Sequence, residues 1–340
     1  MNNNFILNQE SEVFYEAGYS CDNVIFLSLG SEKFFITDGR YTTDAKNNSS
    51  AEVITTKNLL KTAKEILLKN RVKRLIIDPT KWDYNSFVEL SKIVLLQKVP
   101  NYSHKKREIK TEQELELIKK AVFLGGVAFE EFKNSVKIGL SEIELSYQFK
   151  KFLTARGSRD LSFEPIVAIN ENGAKPHAII SEKRLKENDI LLLDAGLKYK
   201  HYCSDRTRTI AINNSVSMSK KQNFKNKEYQ KIYDIVLKAQ EEAIKAIKVG
   251  VKISKIDKIA REIIQKAGYG DYFVHSLGHG VGLDIHEYPY INSKNDDIIK
   301  EGMVFTIEPG IYLPDRFGVR IEDMICINLD GEKEVMSEYI

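Results

Sequence analysis

Cysteine is scarce in this 340-residue chain, with only Cys21, Cys203 and Cys326. An odd number at wide spacing builds neither a disulfide framework nor a zinc-finger pattern. A reducing cytoplasm is the expected compartment. Long apolar runs are missing too. None approaches the ~20 residues of a membrane helix, so no membrane partner is expected. The start, Met1-Asn2-Asn3-Asn4-Phe5, lacks basic residues ahead of an apolar stretch and reads as no signal peptide. Excess charge of one sign is also lacking. Fifty-one basic residues stand against 48 acidic ones, leaving +3. That balance gives no global drive toward nucleic acid, which is not an expected partner. The local basic run His104-Lys105-Lys106-Arg107 reads as a solvated linker. No low-complexity segment or 20–50-residue repeat is seen, which excludes solenoids and propellers.

What is present is an ordinary globular composition, 42% hydrophobic and 29% charged, in a chain long enough for two domains. The first hundred residues alternate strands with helices. Val24 to Leu29, Lys33 to Thr37 and Glu52 to Thr56 are β-rich, as is the short run Leu75-Ile76-Ile77 stopped by Asp78-Pro79. Lys57 to Asn70 and Tyr84 to Leu96 carry helical periodicity. These alternations predict a small α/β domain. The polar stretch Asn101 to Lys110 is the expected boundary. Beyond it, Thr111 with Glu114, and Ser141 with Glu144, are capping-box signatures of two helix starts. Further helices are expected over Glu228 to Ile247 and Ser254 to Lys266. Strand pairs lie between and after them, which predicts an α+β second domain.

Two of those strand pairs carry acidic residues. Ile190 to Gly196 is followed by His201 to Thr207. Pairing about a turn at Tyr199-Lys200 places Asp194 opposite Asp205. Val304 to Glu308 leads through Pro314-Asp315-Arg316 to Val319-Arg320-Ile321-Glu322. Pairing about Asp315 places Glu308 opposite Glu322, with Arg320 on the same face by alternation. Like charges facing each other across a ladder are destabilising, and apolar surroundings raise the cost. A single such carboxylate would read as a solvent-facing residue. Two matched pairs call for cations. Four carboxylates sum to −4, which two divalent ions neutralise. Carboxylate and imidazole donors suit manganese, cobalt, iron or zinc.

Imidazoles are close at hand in the sequence. Of six histidines, His275, His279 and His286 fall in one glycine-threaded segment, His275 to Glu287. Glycines at 278, 280 and 282 make a helix improbable there and let backbone approach closely. Any of the three histidines could supply a ligand. His177, after Pro176, alone would read as a surface-loop residue. His104 and His201 read as a linker and a hairpin-tip residue. Cys203 reads as a small apolar filler, since no general base is placed for it.

These motifs resemble the pita-bread metallopeptidases, in particular the Xaa-Pro aminopeptidase and prolidase branch. The resemblance rests on Pro176-His177, Asp194-Ala195-Gly196, Tyr202 to Asp205 with Thr207-Arg208-Thr209, Gly278 to Leu283 with His286-Glu287, Glu308-Pro309-Gly310, and Val319 to Asp323, in family order and spacing. Phe35 to Tyr41 is similar to the family's creatinase-like N-terminal domain. The resemblance implies an α/β creatinase-like domain over 1–108 and an α+β pita-bread catalytic domain over 109–340. It implies two divalent metal ions, manganese by preference with cobalt, zinc or iron as options. Asp194 would bind one ion bidentately, Asp205 and Glu322 would bridge, and His279 and Glu308 would complete the other. A hydroxide between the ions would attack the carbonyl before proline. His177 and His286 would stabilise the tetrahedral intermediate and leaving group, and Glu308 would shuttle a proton. His275 and Arg320 would line the substrate pocket, Arg320 being suited to a carboxylate. The implied partners are peptides with proline at the second position and a second copy of the chain in a homodimer. Asn188-Asp189 departs from the family's usual Gly-Asp, and the first domain is short. Alternative expectations are a methionine aminopeptidase of the same fold and a non-catalytic pita-bread binding module. Intact ligand positions weigh against the second. A metal-free creatine amidinohydrolase is disfavoured for the same reason.

Overall fold

The computed structural model describes residues 4–213 and 215–339. It divides into two compact units, Met1–Lys106 and Arg107–Ile340.

The first unit is a mixed sheet with helices on both faces. Its strands are β1 (Phe5–Leu7), β2 (Val24–Leu29), β3 (Glu32–Thr37), β4 (Glu52–Thr55), β5 (Arg74–Ile77) and β6 (Leu95–Lys98). They lie in the order β4-β3-β2-β1-β5-β6. Alternation along the strands divides the core. Ile6, Leu27, Ile36, Leu75 and Ile77 pack with Ala63 and Leu67 of α3 (Leu59–Lys69) and Leu90 of α4 (Tyr84–Ser91). Phe5, Leu7, Phe26 and Phe35 pack with Val13 and Ala17 of α1 (Glu10–Ala17) and Ala45 of α2 (Thr42–Asn48). Two expectations need correction here. Tyr84 to Leu96 is not one helix, because α4 ends at Ser91 and Leu95 and Leu96 pair with Arg74 and Leu75 as the edge strand β6. Pairing with the sheet outweighs local periodicity. Nor is the basic run a solvated linker. Tyr102–Arg107 forms helix α5, and His104 and Arg107 are buried.

The second unit opens with two long helices, α6 (Glu112–Lys133) and α7 (Glu142–Leu153), both started by the expected capping boxes. Strands β7 (Asp160–Leu161), β8 (Ile166–Ile169), β9 (Ile190–Ala195), β10 (Leu197–Tyr199), β11 (Tyr202–Cys203) and β12 (Arg206–Ala211) follow. The amphipathic helices α8 (Lys227–Ala246) and α9 (Ile253–Lys266) come next. The chain then forms β13 (Gly278–Gly280), β14 (Glu287–Ile291), β15 (Val304–Ile307), β16 (Gly310–Leu313), β17 (Phe317–Arg320), β18 (Asp323–Ile327) and β19 (Lys333–Val335). Phe129, Phe132 and Phe149 of α6 and α7 pack under Val167, Leu191 and Leu193, while Ile232, Val236, Ile256 and Ala260 of α8 and α9 cover Phe305, Ile307 and Ile325. Helices thus back the strands that carry the acidic residues. Asn188 has φ 68°, in the left-handed region, and asparagine is among the few side chains that accept it. The Gly-to-Asn departure is therefore accommodated by the backbone. Among the described residues, no helix is long and apolar enough to cross a membrane.

Candidate metal centre and its cavity

The two acidic strand pairs differ in register. In the first, Tyr199 pairs with Tyr202 around Lys200-His201, and the same register places Thr207 opposite Asp194. Asp194 therefore does not face Asp205, and the expected turn at Tyr199-Lys200 is displaced. Lys200 and His201 both take left-handed φ values, 46° and 74°, which fit the twist of a two-residue hairpin loop. In the second pair the expected register holds. Gly310 pairs with Arg320, and beyond the gap Ile307 pairs with Asp323, so Glu308 falls opposite Glu322. Neither glutamate belongs to a ladder with the other. Glu308 N–H donates to Leu277 O at 2.8 Å, and Glu322 N–H donates to Thr207 O at 3.2 Å.

His279 arrives on β13, and its glycine neighbours explain how. A Cβ on Gly278 would lie 1.9 Å from Thr306 O, and one on Gly280 would lie 2.1 Å from Tyr288 O. No side chain fits between these strands. His279 Nδ1 bonds Gly280 O at 3.1 Å. A carbonyl only accepts, so Nδ1 carries the proton and Nε2 faces the carboxylates. That nitrogen lies 3.3 Å from Glu308 Oε1 and 3.6 Å from Asp205 Oδ2.

The result is a cavity of about 560 Å³ lined by His177, Asp194, Asp205, His275, His279, His286, Glu308, Arg320 and Glu322. Every residue that the resemblance implied for the site reaches it. Asp205, His279 and Glu322 each present a donor atom within 4.8 Å of the others. Asp194 instead pairs with Arg320 Nη2 at 2.5 Å. The donors of Arg320 are spread further, to Thr207 Oγ1 at 3.1 Å, Tyr312 OH at 2.8 Å and Pro176 O at 3.2 Å. His275 Nε2 meets the same Tyr312 hydroxyl at 2.8 Å. His286 stacks edge-on against His279, with ring centroids 4.3 Å apart.

Electrostatics mark this as a place for cations. Burial first, then the charges of Glu322 and Asp194, push the Asp205 carboxyl well above the usual range. Burial and Glu308 do the same to Glu322. Asp194 is raised as well, by burial against the opposing pull of Arg320. Glu308 goes the other way. Burial would raise it, but the hydrogen bond and charge of His279 hold it down to about 2. Burial, then the neighbouring His279, lowers His286, and burial lowers His275. Three carboxylate oxygens, Asp194 Oδ1, Asp205 Oδ1 and Glu322 Oε1, are buried with no hydrogen-bond partner. Buried acceptors without donors are costly, and a cation relieves that cost. The donor set therefore fits a metal centre of oxygen and imidazole ligands.

Comparison with known proteins decides the family. The model for metallopeptidase family M24 matches residues 116–328. The chain belongs to that family. A peptidase of Staphylococcus epidermidis is 46% identical over 233 residues, 68% of this chain and 63% of that protein. The chain thus matches less than two thirds of the length of that relative. A Xaa-Pro dipeptidase of Pyrococcus furiosus is 40% identical over 250 residues, 74% of this chain and 69% of that one. Among solved structures, a Xaa-Pro dipeptidase from Bacillus anthracis superposes with a TM-score of 0.90 at 32% identity, covering 99% of this chain and 93% of that one. An X-Pro aminopeptidase from Thermotoga maritima gives 0.86 at 31% identity, covering 98% and 95%. The expected fold, an α/β unit followed by an α+β pita-bread unit, is the M24 fold.

Sequence reasoning missed two groups in this M24 site. Tyr312 joins Arg320 to His275, and burial pushes its hydroxyl up to about 12. Parity could have found it, since Glu308, Gly310 and Tyr312 share one strand face, and a Cβ on Gly310 would strike Tyr312 OH at 2.6 Å. Thr207 joins the two hairpins, donating to Glu322 Oε2 at 2.6 Å. Only the corrected register reveals it. Cys203 is buried and its thiol is pushed up to about 12 by burial, in keeping with a filler role.

Proposed function

We propose that this M24 chain hydrolyses the peptide bond preceding proline at the N-terminus of peptides, as a Xaa-Pro aminopeptidase or Xaa-Pro dipeptidase. The observation that carries the reading is the meeting of orphaned buried oxygens on Asp194, Asp205 and Glu322 with His279 Nε2 in one cavity. The Xaa-Pro substrates named for the P. furiosus and B. anthracis relatives supply the specificity.

Asp194, Asp205, His279, Glu308 and Glu322 would hold two divalent ions, manganese by preference, with Asp205 and Glu322 shared. When bound, such ions would acidify a water so that it can act as the nucleophile near neutral pH. The remaining roles belong to side chains. Glu308 takes the proton lost by the attacking water and returns it to the proline nitrogen as the C–N bond breaks. His286, neutral at pH 7, hydrogen-bonds the oxygen that gains negative charge, and His177 steadies the departing proline. Phe163, Ile166, Ile285 and Tyr290 give the cavity walls suited to a pyrrolidine ring. Arg320 and His275, joined through Tyr312, orient the substrate. Residues 109–340 form the catalytic domain and 1–108 the creatinase-like domain. The active form is a cytoplasmic homodimer.

The deciding experiment offers Xaa-Pro, Xaa-Pro-Yaa and Met-Ala peptides to protein loaded with manganese, cobalt, zinc or iron. Cleavage before proline is the expected result. Cleavage of Xaa-Pro alone identifies a dipeptidase, and cleavage of Xaa-Pro-Yaa an aminopeptidase. Preference for Met-Ala would transfer the chain to the methionine aminopeptidases. Metal binding with no hydrolysis of any peptide would leave a binding module.

A further inference from the structure

The capping box that opens α7 accounts for Ser141 and Glu144. It leaves Glu142, the first residue of the helix, unexplained. Glu142 is fully buried, and it stands outside the cavity lining. A carboxylate withdrawn from water needs several donors to offset its lost hydration. Glu142 has them, from the end of β8 and from the loop that follows it. Its Oε1 accepts from Ile169 N–H at 2.7 Å. Its Oε2 accepts from Asn172 Nδ2 at 2.8 Å, Ser181 N–H at 2.7 Å and Ser181 Oγ at 2.6 Å.

These partners bracket His177. Ile169 ends β8 before the loop, and Ser181 stands just beyond it. Asn172 also donates to Ile179 O at 2.9 Å, tying the loop across its own neck. At the tip, Pro176 O accepts from Arg320 at 3.2 Å. His177 is exposed on the cavity, so its place is set by the chain on either side. We infer that Glu142 is a positioning residue that clamps the 170–181 loop and thereby aims His177 at the substrate. This inference rests on the proposed Xaa-Pro hydrolysis only for the role of His177. The clamp itself stands on the hydrogen bonds.

The chemistry of the clamp dictates the variant. In Glu142→Gln, one carboxylate oxygen becomes an NH2 group. Whichever way the amide lies, that donor meets donors, either Ile169 N–H or the Asn172 and Ser181 groups. Glu142→Gln is expected to lower kcat on a Xaa-Pro peptide about 10-fold with KM nearly unchanged, the scale of losing an outer supporting group. The same change in a His177→Ala background is expected to alter kcat less than about twofold, because the residue it acts through is gone. Wild-type turnover in Glu142→Gln, or a loss that multiplies unchanged in the His177→Ala background, overturns the inference. Should Glu142→Gln not fold, Ser181→Ala removes a single hydroxyl donor and enters the same cycle. Amide hydrogen exchange of the metal-free protein gives a readout that needs no activity. Faster exchange across 169–181 in the variant supports the clamp. Unchanged exchange overturns it, even if the wild-type protein leaves Xaa-Pro peptides intact, which is the separate failure of the functional reading.

Discussion

The two hairpins that build the centre solve the same electrostatic problem differently. Each brings two carboxylates into apolar surroundings. The first avoids a face-to-face pair by register, with Asp194 opposite Thr207 and Asp205 just before the partner strand begins at Arg206. The second keeps the opposed register but opens the ladder. Glu308 and Glu322 turn their backbone N–H groups to Leu277, just ahead of β13, and to Thr207 of β12. In neither case do two acidic side chains share one rung, the arrangement that costs most. Opposed carboxylates in a sequence pattern therefore point to a cation site even where the structure keeps them off a common rung.

The largest way to break this comparison is to remove one arm. Asp205→Ala should abolish metal binding, read by elemental analysis, and lower turnover by more than about 10³-fold, the range in which loss of a central charge-stabilising group falls. Retained metal and activity would mean that the second hairpin builds the centre alone. A smaller effect tests the link between the arms. Thr207 is buried, donates to Glu322 and accepts from Arg320 Nε. Thr207→Val keeps the shape and deletes both bonds. It should cost about 10- to 100-fold in kcat, as second-layer metal partners do, with the melting temperature shifted far less than activity. Equal turnover would show that the hairpins are coupled only through what they jointly bind. The smallest effect sharpens the contrast at the tips. Lys200 and His201 sit in the left-handed region with side chains that disfavour it, whereas Asp315, with φ 59°, is a residue type that tolerates it. Replacing Lys200-His201 by Asn-Gly should stabilise by about 1 kcal/mol in denaturant titration, and Asp315→Gly by less than about 0.5 kcal/mol. The opposite ranking would contradict the turn assignment.

The same tips explain what the sequence could tell. Pro314-Asp315-Arg316 is a conventional turn signal, and the register read from it, Glu308 opposite Glu322, holds in the ladders on both sides. Tyr199-Lys200-His201 has no such signal, so the register read from it is two residues off and hides the pairing of Thr207 with Asp194. The capping boxes at Thr111 and Ser141 were legible because they need only local chemistry. The strand over Leu95–Lys98 was not, because only pairing with β5 separates it from the helix before it. Arg107 was hidden by its basic neighbours. A charged run gives no sign that one member is buried and donates to Asp284 at 2.6 Å. All five expected ligands, and the expected site residues His177, His275, His286 and Arg320, do line the cavity, since motif spacing carries side-chain identity better than it carries register.

The second hairpin also has a use for the engineer. The ladder between β15 and β18 lies on the far side of Glu308 and Glu322 from the tip, and it holds the common register independently of the loop. The tip residues Pro314, Asp315 and Arg316 are exposed. A reporter or tether spliced in there would lengthen only the outer end, leaving the two glutamates anchored from the core.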